Sequence, residues 1–144
     1  MNAPLYNTRI LRLAASIPFH ERLADPMASV EKRSPVCGSR VAVDVDLDRE
    51  GRVAAIGMTV RACALGQASA SLMGAHAVGR TLDELETARD ELTAWLVGER
   101  DDPPAWPGLD IFTPALPHSA RHPSIPLGFE AIAEAARNAA KVRA

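Results

Sequence analysis

Val41-Ala42-Val43-Asp44-Val45-Asp46-Leu47-Asp48, followed by Arg49-Glu50-Gly51 and then Val53 to Arg61, is the stretch whose reading decides the fold. Val41, Val43, Val45 and Leu47 alternate with Ala42, Asp44, Asp46 and Asp48, which is the period of a strand with one buried and one polar face. Asp48-Arg49-Glu50-Gly51 reads as a hairpin turn in which Gly51 is free to take a positive φ. Val53 to Arg61 returns as the partner strand, with Ala54, Ile56, Met58 and Val60 expected on one face. Ala28 to Arg33 reads as a further short strand. An apolar sheet face needs a cover, and the flanking sequence is helical.

Upstream, Pro4 to Ile17 reads as a helix ended by Pro18, with Phe19 to Pro26 as a loop. Downstream, Ala64 to Ala77 is a helix rich in small residues, with Leu65, Leu72 and Met73 as its apolar stripe and Gly79 at its end. Thr81 and Glu84 form a capping box for the next helix, which carries Leu82, Leu85, Ala88, Leu92, Trp95 and Leu96 to about Val97. Glu99 to Pro126 holds Pro103, Pro104, Pro107, Pro114, Pro117, Pro123 and Pro126, so it is looped, with room for one short helix near Leu109 to Leu116. A last helix, capped by Ser124, runs to about Val142 with Leu127, Ile132, Ala136 and Ala139 or Ala140 inward. The expected architecture is α+β: a small three-stranded antiparallel sheet covered on one face by four to five helices, in a single domain over residues 1–144.

With 47% hydrophobic and 24% charged residues, the composition is that of a soluble globular chain, and the 4% of aromatics implies an aliphatic core. A net charge of -2 lacks the basic excess that nucleic-acid binding requires. No apolar run has membrane-spanning length, and the N-terminus lacks a signal-peptide pattern, so the cytoplasm is the expected compartment. In that compartment the two cysteines, Cys37 and Cys63, are expected as thiols or metal ligands rather than a disulfide.

Cys37 precedes the first hairpin strand and Cys63 follows the second, so an antiparallel pairing brings these ends together. Cys63 also stands at a helix start, where free N–H groups favour a thiolate. Soft anionic sulfur suits iron–sulfur clusters, iron or zinc. Two thiolates do not fill a tetrahedral site, and His118, Arg121, His122 and Ser124 lie where the last helix begins. On residue statistics alone, two cysteines in such a domain are more often plain buried thiols.

Pro35-Val36-Cys37-Gly38, the hairpin, Cys63-Ala64-Leu65 with Ala68-Ser69-Ala70-Ser71-Leu72-Met73, and Gly79-Arg80-Thr81-Leu82 together resemble the scaffold family of iron–sulfur cluster assembly, of the IscU, SufU and NifU N-terminal type. Leu5-Tyr6 with Ile10 is similar to its opening helix. The long gap before the last helix, with Arg121 and Leu127-Gly128-Phe129-Glu130-Ala131-Ile132, resembles the SufU-like branch. The resemblance implies a SufE/NifU-like fold, a scaffold or carrier rather than an enzyme, and ligation of an iron–sulfur cluster, iron or zinc by Cys37 and Cys63. It also implies a cysteine desulfurase and apo-protein acceptors as partners.

The departures are specific. The family pattern places Asp where this chain has Ser39, a third cysteine where it has Ser124, and Gly where it has Ala62. His122 is the candidate replacement ligand, because a neutral imidazole can stand in for a thiolate. Against this stand the plainer readings: His118 and His122 as loop histidines, Ser39 as a turn residue, Ser124 as an N-cap, Arg121 as a surface charge, and His20 and His76 as structural groups. The replaced positions leave two alternatives to a cluster scaffold: an interaction or regulatory module without a cluster, and an accessory sulfur-transfer protein.

Overall fold

The computed structural model describes residues 6–143. Within them, strands β1 (Ala28–Arg33), β2 (Arg40–Leu47) and β3 (Val53–Arg61) form an antiparallel meander in the order β1-β2-β3. Four α-helices accompany it: α1 (Thr8–Ala15), α2 (Ala64–Ala77), α3 (Leu82–Leu96) and α4 (Leu127–Arg143). The proline-rich connection contains two 3₁₀ segments, Leu109–Ala115 and Ser119–Arg121. This is the α+β arrangement expected from the sequence. The first helix is shorter than Pro4 to Ile17: Asn7 caps it by accepting from the Ile10 N–H at 3.0 Å, and Pro4 and Leu5 lie outside the described residues.

Val30, Val43 and Met58 are cross-strand neighbours on the face that α4 covers over β1 and β2 and α2 covers over β3. α3 packs on α4, α2 lies against α4 and β3, and α1 packs on α2. α2 is buried on nearly every side, so its apolar surface exceeds the stripe of Leu65, Leu72 and Met73. Ala68 and Ala70 let its neighbours approach, and its two buried serines spend their hydroxyls on carbonyls of other segments, Ser69 on Ile125 and Ser71 on Ser16. The sheet side of the core is aliphatic. The helical side is closed by Trp95, Trp106, Phe112 and Phe129, where most of the few aromatics concentrate. Trp106 stands edge-on to Phe129 and donates its indole N–H to the Leu72 carbonyl at 2.9 Å.

Two details of the sheet depart from simple alternation. A bulge between Asp46 and Leu47 pairs Asp46 with Ala55 and Leu47 with Val53, so Ala54 is the extra residue. Ala54 is therefore exposed, and Val53 takes the core position instead. The second departure is Asp44, which is fully buried rather than solvated. The loop of residues 19–27 crosses this second face. Arg22 donates two hydrogen bonds to Asp44, both at 2.7 Å, the Leu23 N–H donates at 2.9 Å, and the Ser29 hydroxyl also donates. Gly57, cross-strand from Asp44, allows the contact, because a Cβ there would overlap the Glu21 carbonyl and the Leu23 nitrogen. The same loop covers the free edge of β3. Met58 N–H donates to the Phe19 carbonyl at 3.0 Å, and Val60 N–H donates to His20 Nε2 at 3.2 Å, which gives His20 its structural role.

Burial pushes the Asp44 carboxyl up, but Arg22, Ser29 and the Leu23 N–H outweigh it and hold it below the ordinary carboxylate range. A carboxyl depressed in the folded state contributes stability above its unfolded pKa, and that contribution fades as pH falls through the folded value. Asp44→Ala is expected to cost about 3 kcal/mol in urea denaturation at neutral pH, since it strands donors aimed at the carboxylate. The same variant should lose less stability than the parent on acidification below about pH 4. An equal acid slope in both proteins would contradict this account.

Candidate functional site

Both cysteines lie at one end of the sheet, where Arg40 pairs with Arg61. Cys37 sits on the β1–β2 connection, three residues before Arg40, and Cys63 is the N-cap of α2, two residues after Arg61. Both are free and exposed. The 34–39 connection is closed by its own backbone: Ser34 N–H donates to the Ser39 carbonyl at 2.8 Å, and Gly38 N–H donates to the Ser34 carbonyl at 3.0 Å. The two serines are buried beneath the exposed Cys37. Cys37 Sγ hydrogen-bonds Ser39 Oγ at 3.2 Å, and Ser34 Oγ accepts from the Cys37 N–H at 3.4 Å. Hydrogen bonding with Ser34 and Ser39 holds the Cys37 thiol below its ordinary pKa against the opposing effect of burial, so the turn favours the thiolate.

Cys63 repeats the arrangement with a residue distant in sequence. Its Sγ lies 3.1 Å from Ser124 Oγ, and Ser124 is buried. Ser124 is not the cap of α4, which begins three residues later at Leu127. It belongs to a turn in which the Ile125 N–H donates to the His122 carbonyl at 2.9 Å. Two contacts fasten this turn to α2. Ser69 Oγ donates to the Ile125 carbonyl at 2.6 Å, and Gly66 leaves the space that Ser124 occupies. A Cβ at Gly66 would meet Ala62 Cβ at 2.8 Å and Ser124 Cβ at 2.9 Å. The structure thus gathers the residues into two Cys–Ser pairs, Cys37 with Ser39 and Cys63 with Ser124.

His122 does not join them. Its Nε2 lies 2.7 Å from the Ala115 carbonyl, and its ring lines an apolar hollow of about 390 Å³ with Thr93, Leu96, Val97 and Leu116. Among the described residues, no three His, Cys, Asp or Glu side chains converge to hold a metal ion. The donor set at the cysteines is therefore two thiols, each backed by a hydroxyl. His118 is the N-cap of the second 3₁₀ segment and Arg121 its last residue, and Arg121 is exposed. Sequence reasoning missed a cationic feature beside the site: Arg33, Arg40 and Arg61 are in register across the three strands. Arg33 pairs with Glu31 at 3.0 Å, whereas Arg40 and Arg61 have no ion-pair partner among the described residues. Only the register shows this row, because the three residues are scattered along the chain.

A meander whose two cysteine-bearing ends meet the start of a central helix defines a class of small α+β proteins. Residues 9–138 match the NifU-like N terminal domain family, and the chain belongs to that family. Among solved structures it is similar to a nitrogen-fixing NifU-like protein (N-terminal) from Brucella abortus, with 37% identity over 95% of each chain and a TM-score of 0.89. A candidate iron–sulfur cluster assembly scaffold protein for the SUF system from Fervidobacterium islandicum shares the fold at 18% identity. That likeness covers 92% of this chain and 96% of the other, with a TM-score of 0.83. A search of curated proteins found no match. No helix among the described residues is long and apolar enough to cross a membrane.

Alkylation of Cys37 by iodoacetamide, followed site by site by mass spectrometry, should reach its half-maximal rate at a pH below that of an ordinary thiol. Ser39→Ala should move that point upward, and an unchanged profile would remove the serine from the account. At the second pair, Gly66→Ala is expected to destabilise the fold by about 1–3 kcal/mol through overpacking against Ala62 and Ser124. Denaturation midpoints equal to the parent's would contradict the tight seat described for Ser124.

Proposed function

We propose that this chain is an iron–sulfur cluster assembly scaffold that holds a cluster as cargo through Cys37 and Cys63 and passes it on, without catalysing turnover of its own. The observation that carries this reading is the pair of exposed thiols at one end of the sheet, each on a buried serine at a family ligand position. Family membership and the 37% identity to the Brucella protein support it. Thiolate is the donor that iron–sulfur clusters use, and the lowered pKa of Cys37 makes its thiolate available. At neutral pH a serine hydroxyl is a weak ligand for these metals. Ser39 and Ser124 are better suited to donating hydrogen bonds to sulfur, which steadies the anion without coordinating metal. Exposed cargo with few protein ligands is easily released to an acceptor. The partners in this reading are a cysteine desulfurase as sulfur source and apo-proteins as recipients, in the cytoplasm.

A second reading, an interaction module without a cluster, is favoured by one observation: the described residues bring no third His, Cys, Asp or Glu to the cysteines. Anaerobic reconstitution with iron and sulfide separates the two. The scaffold reading predicts sulfur-to-iron charge-transfer absorption with bound iron in the parent, and loss of both in Cys37→Ala and in Cys63→Ala. Absence of absorption and iron in the parent would sink it. Zinc retained through purification and lost in Cys37→Ala would assign the thiols to zinc instead.

A further inference from the structure

We infer that the hollow between Arg33 and Arg40 seats the carboxylate of a low-molecular-weight thiol, whose sulfur supplies the cluster with a ligand that this chain lacks. The inference rests on the scaffold reading above and names the ligand class that completes that site. A [2Fe–2S] cluster takes four thiolates, two on each iron. This chain has two cysteines in all. The other donors nearby are unsuited or committed: Ser39 and Ser124 are hydroxyls backing the sulfurs, and the His122 ring is held by the Ala115 carbonyl. No third His, Cys, Asp or Glu converges on either cysteine among the described residues. Both thiols are exposed, so a small ligand has access to cargo held there.

The turn that carries Cys37 is also one wall of an anion seat. Arg33, Ser34, Pro35, Gly38 and Arg40 line a hollow of about 390 Å³, a size suited to a small organic molecule. Pro35 and Gly38 come from either side of Cys37 in that turn. Arg33, Arg40 and Arg61 stand directly opposite one another on neighbouring strands, so their side chains share one face of the sheet. Like charges so placed repel, and the row costs stability unless an anion offsets it. Arg33 pairs with Glu31 through its Nε at 3.0 Å, whereas Arg40 and Arg61 have no ion-pair partner among the described residues. Lys32 alternates to the opposite face, where it pairs with Glu134. Three guanidiniums against one carboxylate leave this end of the face cationic. A guanidinium is a planar fork that matches a carboxylate with two parallel hydrogen bonds. With a carboxylate held in the hollow, the thiol of the same molecule lies beside the Cys37 turn. Arg61, two residues before Cys63, offers a second such molecule the same contact. Assembly needs no change of oxidation state: two ferric ions, two sulfides and four thiolates combine, and each thiol releases its proton to solvent.

The test is anaerobic reconstitution with ferric iron and sulfide of full-length protein, reduced with a phosphine and desalted, with one small thiol as the variable. 3-Mercaptopropionate is compared with its methyl ester, which lacks the carboxylate charge. Native mass spectrometry then counts chains, irons, sulfides and retained thiols. The expected product is one chain of 15.4 kDa carrying one [2Fe–2S] cluster and two molecules of mercaptopropionate. Half-maximal loading should need about tenfold less of the acid than of the ester. Arg40→Gln and Arg33→Gln should each narrow that ratio to about twofold, in variants whose urea denaturation midpoints confirm folding. Arg33→Gln, at an exposed residue, decides the matter if Arg40→Gln fails to fold. Equal requirements for acid and ester in the parent, or a ratio unchanged in the folded variants, overturns the arginine seat and with it the inference. A cluster-bearing species that retains no added thiol, at whatever mass, overturns the inference and leaves the scaffold reading standing. No cluster with either thiol overturns the scaffold reading and this inference together.

Discussion

The close approach of α2 to the turn at Ser124 is the constraint on which the candidate site depends. Gly66 lets Ser124 sit against the first turn of α2, and Ser69 locks the turn by bonding the Ile125 carbonyl. These contacts join residues more than fifty positions apart and bring a hydroxyl to the Cys63 sulfur. A bulkier residue at either point would separate the proline-rich connection from the helix start. α2 can serve as the hub because its surface is small and buried almost throughout, so α1, α4, the sheet and this turn all reach its axis.

The sheet makes the complementary half of the site. Its apolar face, carrying Val30, Val43 and Met58, is sealed by α4 over β1 and β2 and by α2 over β3, and its polar face is covered by a loop anchored on Asp44. With both faces and the β3 edge occupied, the end of the sheet carrying the cysteines is left open. There the structure combines exposed sulfur, buried hydroxyls and unpaired arginine charge. That combination favours an anionic sulfur-ligated cargo over a neutral ligand.

Much of the fold was legible because it is written in local periodicity. The alternation from Val41 to Leu47, the capping box of Thr81 and Glu84 and the extent of α2 from Ala64 to Ala77 need only neighbouring residues to be read. The burial of Asp44 has no signature along the chain, because alternation identifies a polar face without saying what covers it. The cover here is a loop whose key contact comes from Arg22. Ala54 was placed inward because a bulge changes the phase of a strand without changing its composition. At the site, motif resemblance singles out Cys37, Cys63, Ser39 and Ser124, and the fold sets each cysteine beside one of the two serines. The partnership of Ser124 with Cys63 depends on a tertiary contact, which also explains why the N-cap reading failed. His122 looked available in sequence, but in the fold its ring is turned to the Ala115 carbonyl. The arginine row is a property of strand register and had no signature along the chain.

The central claim is that sulfur alone, held in place by hydroxyls that do not coordinate, makes this end of the sheet a cluster site. Iron K-edge X-ray absorption of the reconstituted protein tests it most directly. The account predicts a first shell of sulfur only, with an iron–iron distance in the next shell. Oxygen or nitrogen in the first shell would show Ser39, Ser124 or His122 acting as ligands, and would contradict it.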